Sequence, residues 1–553
     1  MRKLAIVLVA ASLAAAATAC SGSDDEKTKG NGGDGGEVTG AIRDVSDQGK
    51  PVKGGSITVG LEAESNGFLP GKSNIANAGT SVAYAIYDPL MKINSEGELK
   101  PYLAESIEPN DDFTRWTLKL RSRIEFHDGT PLNADALKAV FDDYLIAPGS
   151  NLLGGLAGVT MEKVDDLTVA YVLEQPNSGF PYNLVLAAGW PFSPTAAKAA
   201  GEDAPAKPVG TGPFVFKSWE RDSRLVVTRN EDYWQKDLPY LDEIVFRPIP
   251  DEDTRISSLK TGDVDVVQSL RQGTVAKLRD IDGVDNYEFL GNNTGISVFN
   301  TAKPPVDDVR VRRGLAQATD QTQLIDVLGG SGMVPVATQL FSPDDAYYSE
   351  AAAKKWYKYD PKAAAKDLES YVNDPKRSDG KAPGSPITLR YDCPPDPSLN
   401  ELTQLIQALW NAVGVEVELR QVEQATHISE ALSGDFQVKC FRAGQEGDPG
   451  VTLYPIFTEG SPLNVARFSD PGIDEALAKI RATDDITERK AEVEKIVEIA
   501  NENIPAIYAG QTLSVVAVRD EVKNVDGWTY PDGSKGGTSP NGTNVWANVW
   551  TTG

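Results

Sequence analysis

The sequence predicts an α/β protein with more than one lobe and a partly parallel sheet. The chain has 553 residues, which exceeds an ordinary single domain, so two to four lobes with ample core are expected. Toward the C-terminal half, strands and helices alternate in a strand–helix–strand–helix–strand series that ends with DFQVKCFR. That alternation is typical of an α/β lobe. No internal repeat is visible.

The first predicted elements precede residue 180. SITVGLEAES, residues 56–65, is β-rich and opens the folded body. In DDFTRWTLKLR, the apolar residues Trp116, Leu118 and Leu120 alternate with polar ones, which predicts a half-buried strand. Asn133 is the expected N-cap of a helix with one apolar stripe, and LTVAYVLEQP predicts another strand.

From residue 209 onward, residue patterns again predict strands and helices. Residues 209–234 alternate on both sides of a charged turn, which predicts a hairpin. Residues 304–328 are predicted helical, and a further helix starts at Asp360, followed by proline at the first helical position. LNELTQLIQALWNAVG places its apolar residues on one helix face before Gly414. Trp410 lies in that stripe, which favours core packing over a ligand contact.

Composition excludes some partners. The formal net charge is −26, whereas binding to nucleic acid needs a local excess of Lys and Arg. Nucleic acid is therefore not expected. The acidity indicates either a well-solvated surface or attraction of cationic ligands.

The N-terminus carries an export signal. Arg2 and Lys3 precede an apolar run, and small residues lead into Cys20. The run is too short to span a bilayer. The segment resembles a bacterial lipobox, although Ala17 stands where leucine is usual, and a plain secretory signal is the alternative. Residues 20–53 are rich in glycine and charge and predict a flexible tether with a span of about 30 Å.

Export also bears on the two remaining cysteines. Cys393 and Cys440 predict one disulfide. Two free, buried thiols are the alternative.

Catalytic and metal motifs are lacking in the sequence. His127 and His427 are the two histidines, and they lie in unrelated contexts. The sequence contains no zinc, EF-hand, Walker or Rossmann signature, and GGSGM only partly matches a nucleophile elbow. Neither an enzyme, a metal nor a cofactor is expected.

Five motifs together resemble one family. PYLAESIEP, WTLKLRSRIEFHDGTPLNADALKAVFDDY, PVGTGPFVFKSWERDSRLVVTRNEDYW, IPDEDTRISSLKTGDVDVV and PVDDVRVRRGLAQATD occur in this order. They resemble the extracytoplasmic solute-binding proteins of ABC importers, family 5, the oligopeptide- and dipeptide-binding type. The resemblance extends from about Gly54 to the C-terminus.

The resemblance implies a two-lobed periplasmic-binding-protein fold of type II, with an extra domain inserted in lobe I and a hinge between the lobes. The resemblance also implies how the chain divides into segments. Residues 1–19 are the signal peptide, 20–53 the lipidated Cys20 and tether, 54–87, 189–290 and 508–553 lobe I, 88–188 the inserted domain, and 291–507 lobe II.

The turn KCFRAGQEGDPG is the main candidate for ligand contact. It follows the end of a predicted strand, where open α/β sheets bind ligands. By resemblance, Phe441, Arg442 and Ala443 line the cleft and meet the ligand as an added strand does. Arg442 is a candidate partner for a ligand carboxylate, and an ordinary surface arginine is the alternative.

Two further positions of the turn, and one in lobe I, complete the candidate site. Gln445 stands where peptide-binding relatives place an aspartate for the peptide ammonium. Glu446 is a candidate to compensate for that exchange, and an outward-facing Gln445 is the alternative. Glu64 matches a ligand-facing glutamate of relatives, with a solvated loop acid as the alternative.

The sequence therefore predicts a monomeric receptor anchored by lipid to the outer face of the cell membrane. It is expected to bind a small polar ligand, foremost a di- or oligopeptide, and to deliver it to a separate ABC permease with its ATPase subunits. An oligosaccharide is the alternative ligand. A secreted hydrolase and a surface adhesion or chaperone protein are more distant alternatives.

Overall fold

The structure is a computed structural model. It describes residues 49–75, 77–94, 97–152, 155–444, 447–461, 463–536 and 546–553. The predicted signal peptide, Cys20 and the tether as far as residue 48 lie outside the described residues, as do Gln445 and Glu446.

The described chain is a mixture of strands and helices. The strands are β1 (Ser56–Leu61), β2 (Met91–Ile93), β3 (Leu99–Pro101), β4 (Ala104–Pro109), β5 (Arg115–Leu120), β6 (Val159–Lys163), β7 (Thr168–Leu173), β8 (Phe214–Glu220), β9 (Arg224–Arg229), β10 (Glu243–Pro248), β11 (Val266–Ser269), β12 (Val284–Phe299), β13 (Ile387–Cys393), β14 (Val415–Gln421), β15 (Val438–Gly444), β16 (Ala506–Arg519), β17 (Val522–Lys523) and β18 (Trp550–Thr551).

The helices alternate with these strands. They are α1 (Asn77–Ile86), α2 (Ala134–Val140), α3 (Pro194–Ala200), α4 (Glu252–Thr261), α5 (Gln272–Arg279), α6 (Val309–Gln317), α7 (Gln321–Val327), α8 (Glu350–Lys355), α9 (Pro361–Val372), α10 (Pro397–Asn411), α11 (Gln424–Ser433), α12 (Pro449–Phe457), α13 (Pro471–Ala482) and α14 (Ile486–Asn503).

One large sheet runs through the molecule in the order β14-β13-β15-β12-β16-β11-β1-β10-β9-β8. We call the part around β1 and β8–β11 lobe I, and the part around β13–β15 lobe II. Strands β12 and β16 are long antiparallel partners that belong to both lobes. Their register shifts between Gly291 and Ile296, opposite Tyr508–Thr512. Two chain segments therefore connect the lobes side by side.

Each lobe has its own apolar core. The core of lobe I combines strands from the first half of the chain with C-terminal residues such as Trp546, which is fully buried. The core of lobe II extends from Phe299 to Ala509. Separate cores allow the lobes to act as two stiff bodies, because packing within each is independent of the other. The fold is two-lobed and α/β, as the sequence predicts.

A small four-stranded antiparallel sheet adds to lobe I. Its order is β4-β5-β7-β6, and Trp116, Leu118 and Leu120 point from β5 into the lobe I core. This confirms the alternation seen in the sequence. The limits of an inserted domain at residues 88–188, and lobe limits near 291 and 508, stay predictions.

Several local predictions are confirmed. The Asn133 side chain caps α2 by accepting a hydrogen bond from the Ala136 amide at 2.9 Å. Strands β8 and β9 form the predicted antiparallel hairpin. Trp410 is fully buried and stacks on Tyr391, as its place in the apolar stripe indicates. The prediction that residues 304–328 are helical is confirmed only in part. Helices α6 and α7 begin at Val309 and Gln321, and Asp320 caps the second one.

Candidate functional site

The site is built where strand ends of the two lobes meet. Parallel strands β1 and β11 of lobe I and parallel strands β13 and β15 of lobe II are neighbours within their lobes. Arg271, just after β11, and Asp396, just after β13, form an ion pair of 2.7 Å. The carboxyl ends of both strand sets therefore face the same cleft, the usual ligand position in open α/β sheets.

A second contact joins the lobes at the small sheet. The Ser178 amide donates to the Arg481 carbonyl at 2.8 Å, and the Ser178 hydroxyl donates to the Ile480 carbonyl at 3.2 Å. Ser178 lies beside Phe180 of the lobe I core, whereas Ile480 belongs to the core of lobe II. The two lobes are thus in contact on more than one side of the cleft.

Arg442 lies on β15 and reaches the cleft. It is exposed to solvent and pairs across the sheet with Gly295 of β12. Desolvation lowers the pKa of the Arg442 guanidinium; the nearby Glu62 raises it, Arg271 lowers it and Asp396 raises it. Solvent therefore reaches a side chain that protein surrounds, with charges of both lobes close by. Arg442 therefore lies in the wall of the cleft.

A buried ionic network fixes the strand that carries Arg442. Lys439 of β15 and Asp392 of β13 have no exposed side-chain surface, and Lys439 donates to Glu430 at 3.0 Å. Arg420 donates to both oxygens of Asp392, at 2.9 and 2.8 Å. Buried charges need such complete pairing because desolvation is costly. The network therefore positions β15 against β13 and α11.

The disulfide adds a covalent link at the same place. A bond joins Cys393 at the end of β13 to Cys440 of β15, with Cα atoms 5.3 Å apart. Because side chains alternate along a strand, Cys440 and Arg442 share one face of β15. The link therefore lies one step along that face from the cleft arginine.

The two histidines have structural partners. His127 contacts the Gly212 carbonyl through Nε2 at 3.0 Å, and the Gly210 amide donates to its Nδ1. Burial lowers the His127 pKa to about 4. His427 contacts the Cys440 carbonyl through Nε2 at 2.9 Å, and burial, assisted by Lys439, lowers its pKa. Both rings therefore serve as neutral hydrogen-bonding groups near neutral pH.

Glu64 lies in lobe I and accepts hydrogen bonds from other residues of the same chain. Its Oε1 accepts from the Trp219 indole at 2.8 Å and from the Asp222 amide at 3.1 Å. Together with Trp219, Phe68 and Val82 it lines a small cavity. Its role as a ligand contact stays a prediction. Among the described residues, Arg221 lies 3.9 Å from the other carboxylate oxygen, Oε2.

Of the remaining turn residues, Phe441 and Ala443 are among the described residues. Phe441 is half-buried and stacks against the His427 ring, and Ala443 pairs with Thr294 of β12. Gln445 and Glu446 lie outside the described residues, so the structure does not place them.

The end of the turn has a structural role. Asp448 caps α12 by accepting from the Gly450 amide at 2.8 Å, and it forms a buried ion pair with Arg489. Gly447 has a φ of +76°, and a Cβ there would lie 2.5 Å from the Tyr182 ring of lobe I. Glycine is therefore required at this position by both backbone conformation and space.

Sequence reasoning missed Arg271, Asp396 and Glu62. Each follows a strand end: Glu62 comes directly after β1, and the other two lie within three residues of β11 and β13. These residues could have been proposed from the sequence, because polar residues that follow parallel strands are candidates for lining a cleft. Which of these residues meet across the lobes is decided only by the three-dimensional structure.

Over the described ranges, no helix is both long and apolar enough to cross a membrane. Within the part of the chain that the structure covers, no group of three His, Cys, Asp or Glu side chains is arranged to hold a metal ion.

Solved structures share this architecture. An ABC transporter-associated periplasmic binding protein, DppA from Helicobacter pylori in complex with the peptide STSA, has a TM-score of 0.78 at 22% identity and matches 91% of this chain and 99% of that one. The PBP AgaA from A. tumefaciens R10, in complex with agropinic acid, has a TM-score of 0.77 at 25% identity and matches 90% and 99%. The fold and the cleft define a two-lobed solute-binding protein.

Sequence comparison narrows this class to a family. Di/tripeptide-binding protein 2 of Pseudomonas aeruginosa (strain UCBPP-PA14) is 26% identical over 509 residues, 86% of this chain and 92% of that protein. The family model of the bacterial extracellular solute-binding proteins, family 5 Middle, matches residues 98–463. The chain belongs to the bacterial extracellular solute-binding proteins of family 5, and the resemblance found in the sequence is confirmed.

Proposed function

We propose that this protein is the substrate-binding component of an ABC importer and captures short peptides in the cleft between its lobes. The observation that carries the proposal is the Arg271–Asp396 ion pair, which closes a cleft at the strand ends of both lobes. Family membership and a di/tripeptide-binding relative support a peptide as the ligand. The partners are a permease and its ATPases, and the receptor acts as a monomer.

The cleft supplies the chemistry that a peptide needs. Strand β15 ends at Gly444 with its last residues beside β12, so an extended ligand can meet backbone groups at this strand end. Glu64, Phe441, Arg442, Ala443, Gln445 and Glu446 are the proposed contact residues. Binding favours the closed arrangement of lobes because the ligand touches both lobes only in that arrangement. No covalent chemistry on the ligand is proposed.

Attachment to the membrane is part of the proposal. The family is extracellular by its description. A lipid on Cys20 and a tether to residue 53 would hold the folded body near the outer face of the cell membrane, within reach of a permease. Mass spectrometry of the mature N-terminus tests this: a diacylated Cys20 is expected, and a free N-terminus generated elsewhere would contradict it.

A non-peptide ligand is the second candidate. The similar AgaA chain was solved with agropinic acid, so this architecture also accommodates ligands other than the peptide in the DppA structure. The same cleft would serve, with the same closure and the same transporter.

Ligand capture can be tested directly. Protein purified without refolding is measured by native mass spectrometry, and then titrated with di- and tripeptides, including alanyl-leucine, and with maltotriose. Bound peptide masses and a raised melting temperature are expected, since a ligand at 100 times its Kd stabilises by about 2.7 kcal/mol. Stabilisation by maltotriose alone would favour the second candidate. A ligand that is chemically altered on incubation would contradict a purely binding role.

A further inference from the structure

Lobe I contacts lobe II through a short segment, residues 176–182, that follows β7 of the small sheet. The Ser178 amide donates to the Arg481 carbonyl at 2.8 Å, and the Ser178 hydroxyl donates to the Ile480 carbonyl at 3.2 Å. Both carbonyls belong to the last turn of α13, where a helix has no backbone partner of its own for them. Lobe I therefore completes the hydrogen bonding at the end of a lobe II helix.

The same segment covers a buried ion pair of lobe II. Asp448 and Arg489 pair with only 3% and 7% of their side chains exposed. Arg489 also donates to the Ser178 hydroxyl at 3.4 Å, and Arg481 donates to the Pro176 carbonyl at 3.2 Å. These are polar groups that water can also satisfy when the lobes separate. Polar contacts of this kind are typical of domains that move relative to one another.

Gly179 shows how closely the two lobes approach. A Cβ at this position would lie 2.2 Å from Oδ1 of Asp448, and the three atoms nearest to it all belong to that carboxyl group. The backbone of Gly179 has φ −85° and ψ 0°, a turn conformation open to most residues. Asp448 is not free to move aside, because it pairs with Arg489 and accepts hydrogen bonds from the Gly450 and Val451 amides at 2.8 and 3.3 Å. The restriction on space at Gly179 therefore comes from the opposite lobe.

The ion pair marks the end of the turn that carries the candidate ligand contacts. Strand β15 ends at Gly444, and Asp448 caps the helix that follows, α12. Gly447 lies against the Tyr182 ring of lobe I, at a distance that leaves no room for a side chain. One end of the turn is therefore held by β15 of lobe II, and the other end lies beneath residues 176–182 of lobe I.

We infer that residues 176–182 form a latch, and that Gly179 is the positioning residue that allows the latch to close on Asp448. The inference rests on the proposed ligand capture and gives the small sheet a role in it. When the lobes close over a ligand, the latch holds the end of the ligand-binding turn and slows release of the ligand. Ligand and latch favour the same closed arrangement, so each stabilises the other.

Three variants test the latch. In Gly179→Ala the added methyl group meets Asp448 only when the lobes are closed, and Ser178→Ala removes only the hydroxyl that bonds to lobe II. The matched control is Gly155→Ala, before β6 of the small sheet. Gly155 is exposed, and a Cβ there would lie 3.8 Å from its nearest neighbour, the Leu152 carbonyl oxygen.

Two measurements are made on each variant and on the wild type. Association and dissociation rates are followed by stopped-flow tryptophan fluorescence with alanyl-leucine, or with the member of the ligand panel that the wild type binds most tightly. The radius of gyration is measured by small-angle scattering with and without that ligand. Circular dichroism melting without ligand reports the stability of each variant.

The expected result is faster release at an unchanged association rate. Gly179→Ala should release the ligand about 10-fold faster than the wild type, because the methyl group overpacks the closed contact and such effects act mostly on dissociation. Its radius of gyration should fall less on binding. Ser178→Ala should release the ligand about two- to tenfold faster, as the loss of a neutral hydrogen bond predicts. Gly155→Ala should match the wild type, and all three variants should melt with the wild type in the absence of ligand.

The opposite outcomes are equally distinct. Equal dissociation rates for Gly179→Ala and the wild type would overturn the inference and leave ligand capture intact. Earlier melting of ligand-free Gly179→Ala with unchanged compaction would also overturn it, because the contact would then be permanent packing between the lobes. If Gly179→Ala does not fold, the rates of Ser178→Ala decide in the same way. If the wild type binds no member of the panel, the proposed function fails and the inference with it.

Discussion

Arg271 and Asp396 follow strands of different lobes and form an ion pair of 2.7 Å. The side chains are partly exposed, 41% for Arg271 and 19% for Asp396. Solvent therefore weakens the pair, and a contribution of about 0.5–1 kcal/mol is expected. That is enough to bias an equilibrium between open and closed lobes without locking it.

Arg271→Gln should shift the protein toward open forms. We expect a larger radius of gyration without ligand in small-angle scattering, and a two- to fivefold weaker affinity for alanyl-leucine, in keeping with about 0.5–1 kcal/mol. Asp396→Asn is the matched variant. It removes the charge and keeps a side-chain acceptor for the Leu399 amide at the α10 cap.

The two substitutions form a double-mutant cycle. If the ion pair acts in closure, the double variant should lose no more affinity than either single one. Strictly additive losses would mean that each residue acts separately.

Gln445→Asp tests a position of the turn that lies outside the described residues. An ionised acceptor binds an ammonium more strongly than a neutral one by about 1–2 kcal/mol. Affinity for alanyl-leucine should therefore rise about tenfold if the peptide ammonium lies at this position, whereas N-acetyl-alanyl-leucine should gain nothing. A fall in affinity would indicate that the amide binds a ligand hydroxyl. No change in either would mean that Gln445 does not contact the ligand.

The Cys393–Cys440 disulfide should stabilise lobe II. The bridge spans 47 residues, and a loop of that length corresponds to about 4 kcal/mol at most in the chain-entropy treatment. The double substitution Cys393→Ala, Cys440→Ala should lower the free energy of unfolding by roughly 2–4 kcal/mol in urea titrations. Dithiothreitol should lower the melting temperature of the wild type and leave that of the double variant unchanged. A reductant effect on both would point to another cause.

His127 should make stability depend on pH. Burial lowers its folded pKa from 6.5 to about 4, so the unfolded chain binds more protons between these values. The free energy of unfolding should therefore fall as the pH decreases through this window, by about 3 kcal/mol at most from this group. His427 acts in the same direction.

His127→Gln provides the comparison. The variant should be less stable at pH 7, because the contacts with Gly210 and Gly212 are altered. It should lose less stability than the wild type between pH 6.5 and 4.5 in urea titrations. Parallel loss in both proteins would mean that His127 does not titrate on unfolding.

Many secondary-structure elements could be predicted from local features of the sequence. The Asn133 cap, the β8–β9 hairpin and the apolar stripe holding Trp410 depend on contacts between residues near in sequence. Such features are set by side-chain spacing and capping groups. The division of 304–328 into two helices was missed, although Asp320 is itself a capping residue.

The sequence by itself determined the elements, the family and the turn that follows β15. Only the tertiary structure decided that Arg271 meets Asp396, 125 residues away. Pattern and propensity act within a few residues, whereas ion pairing depends on which strand ends the sheet order brings together. The sheet order, in which both lobes share β12 and β16, therefore brings charged residues of the two lobes together at one cleft.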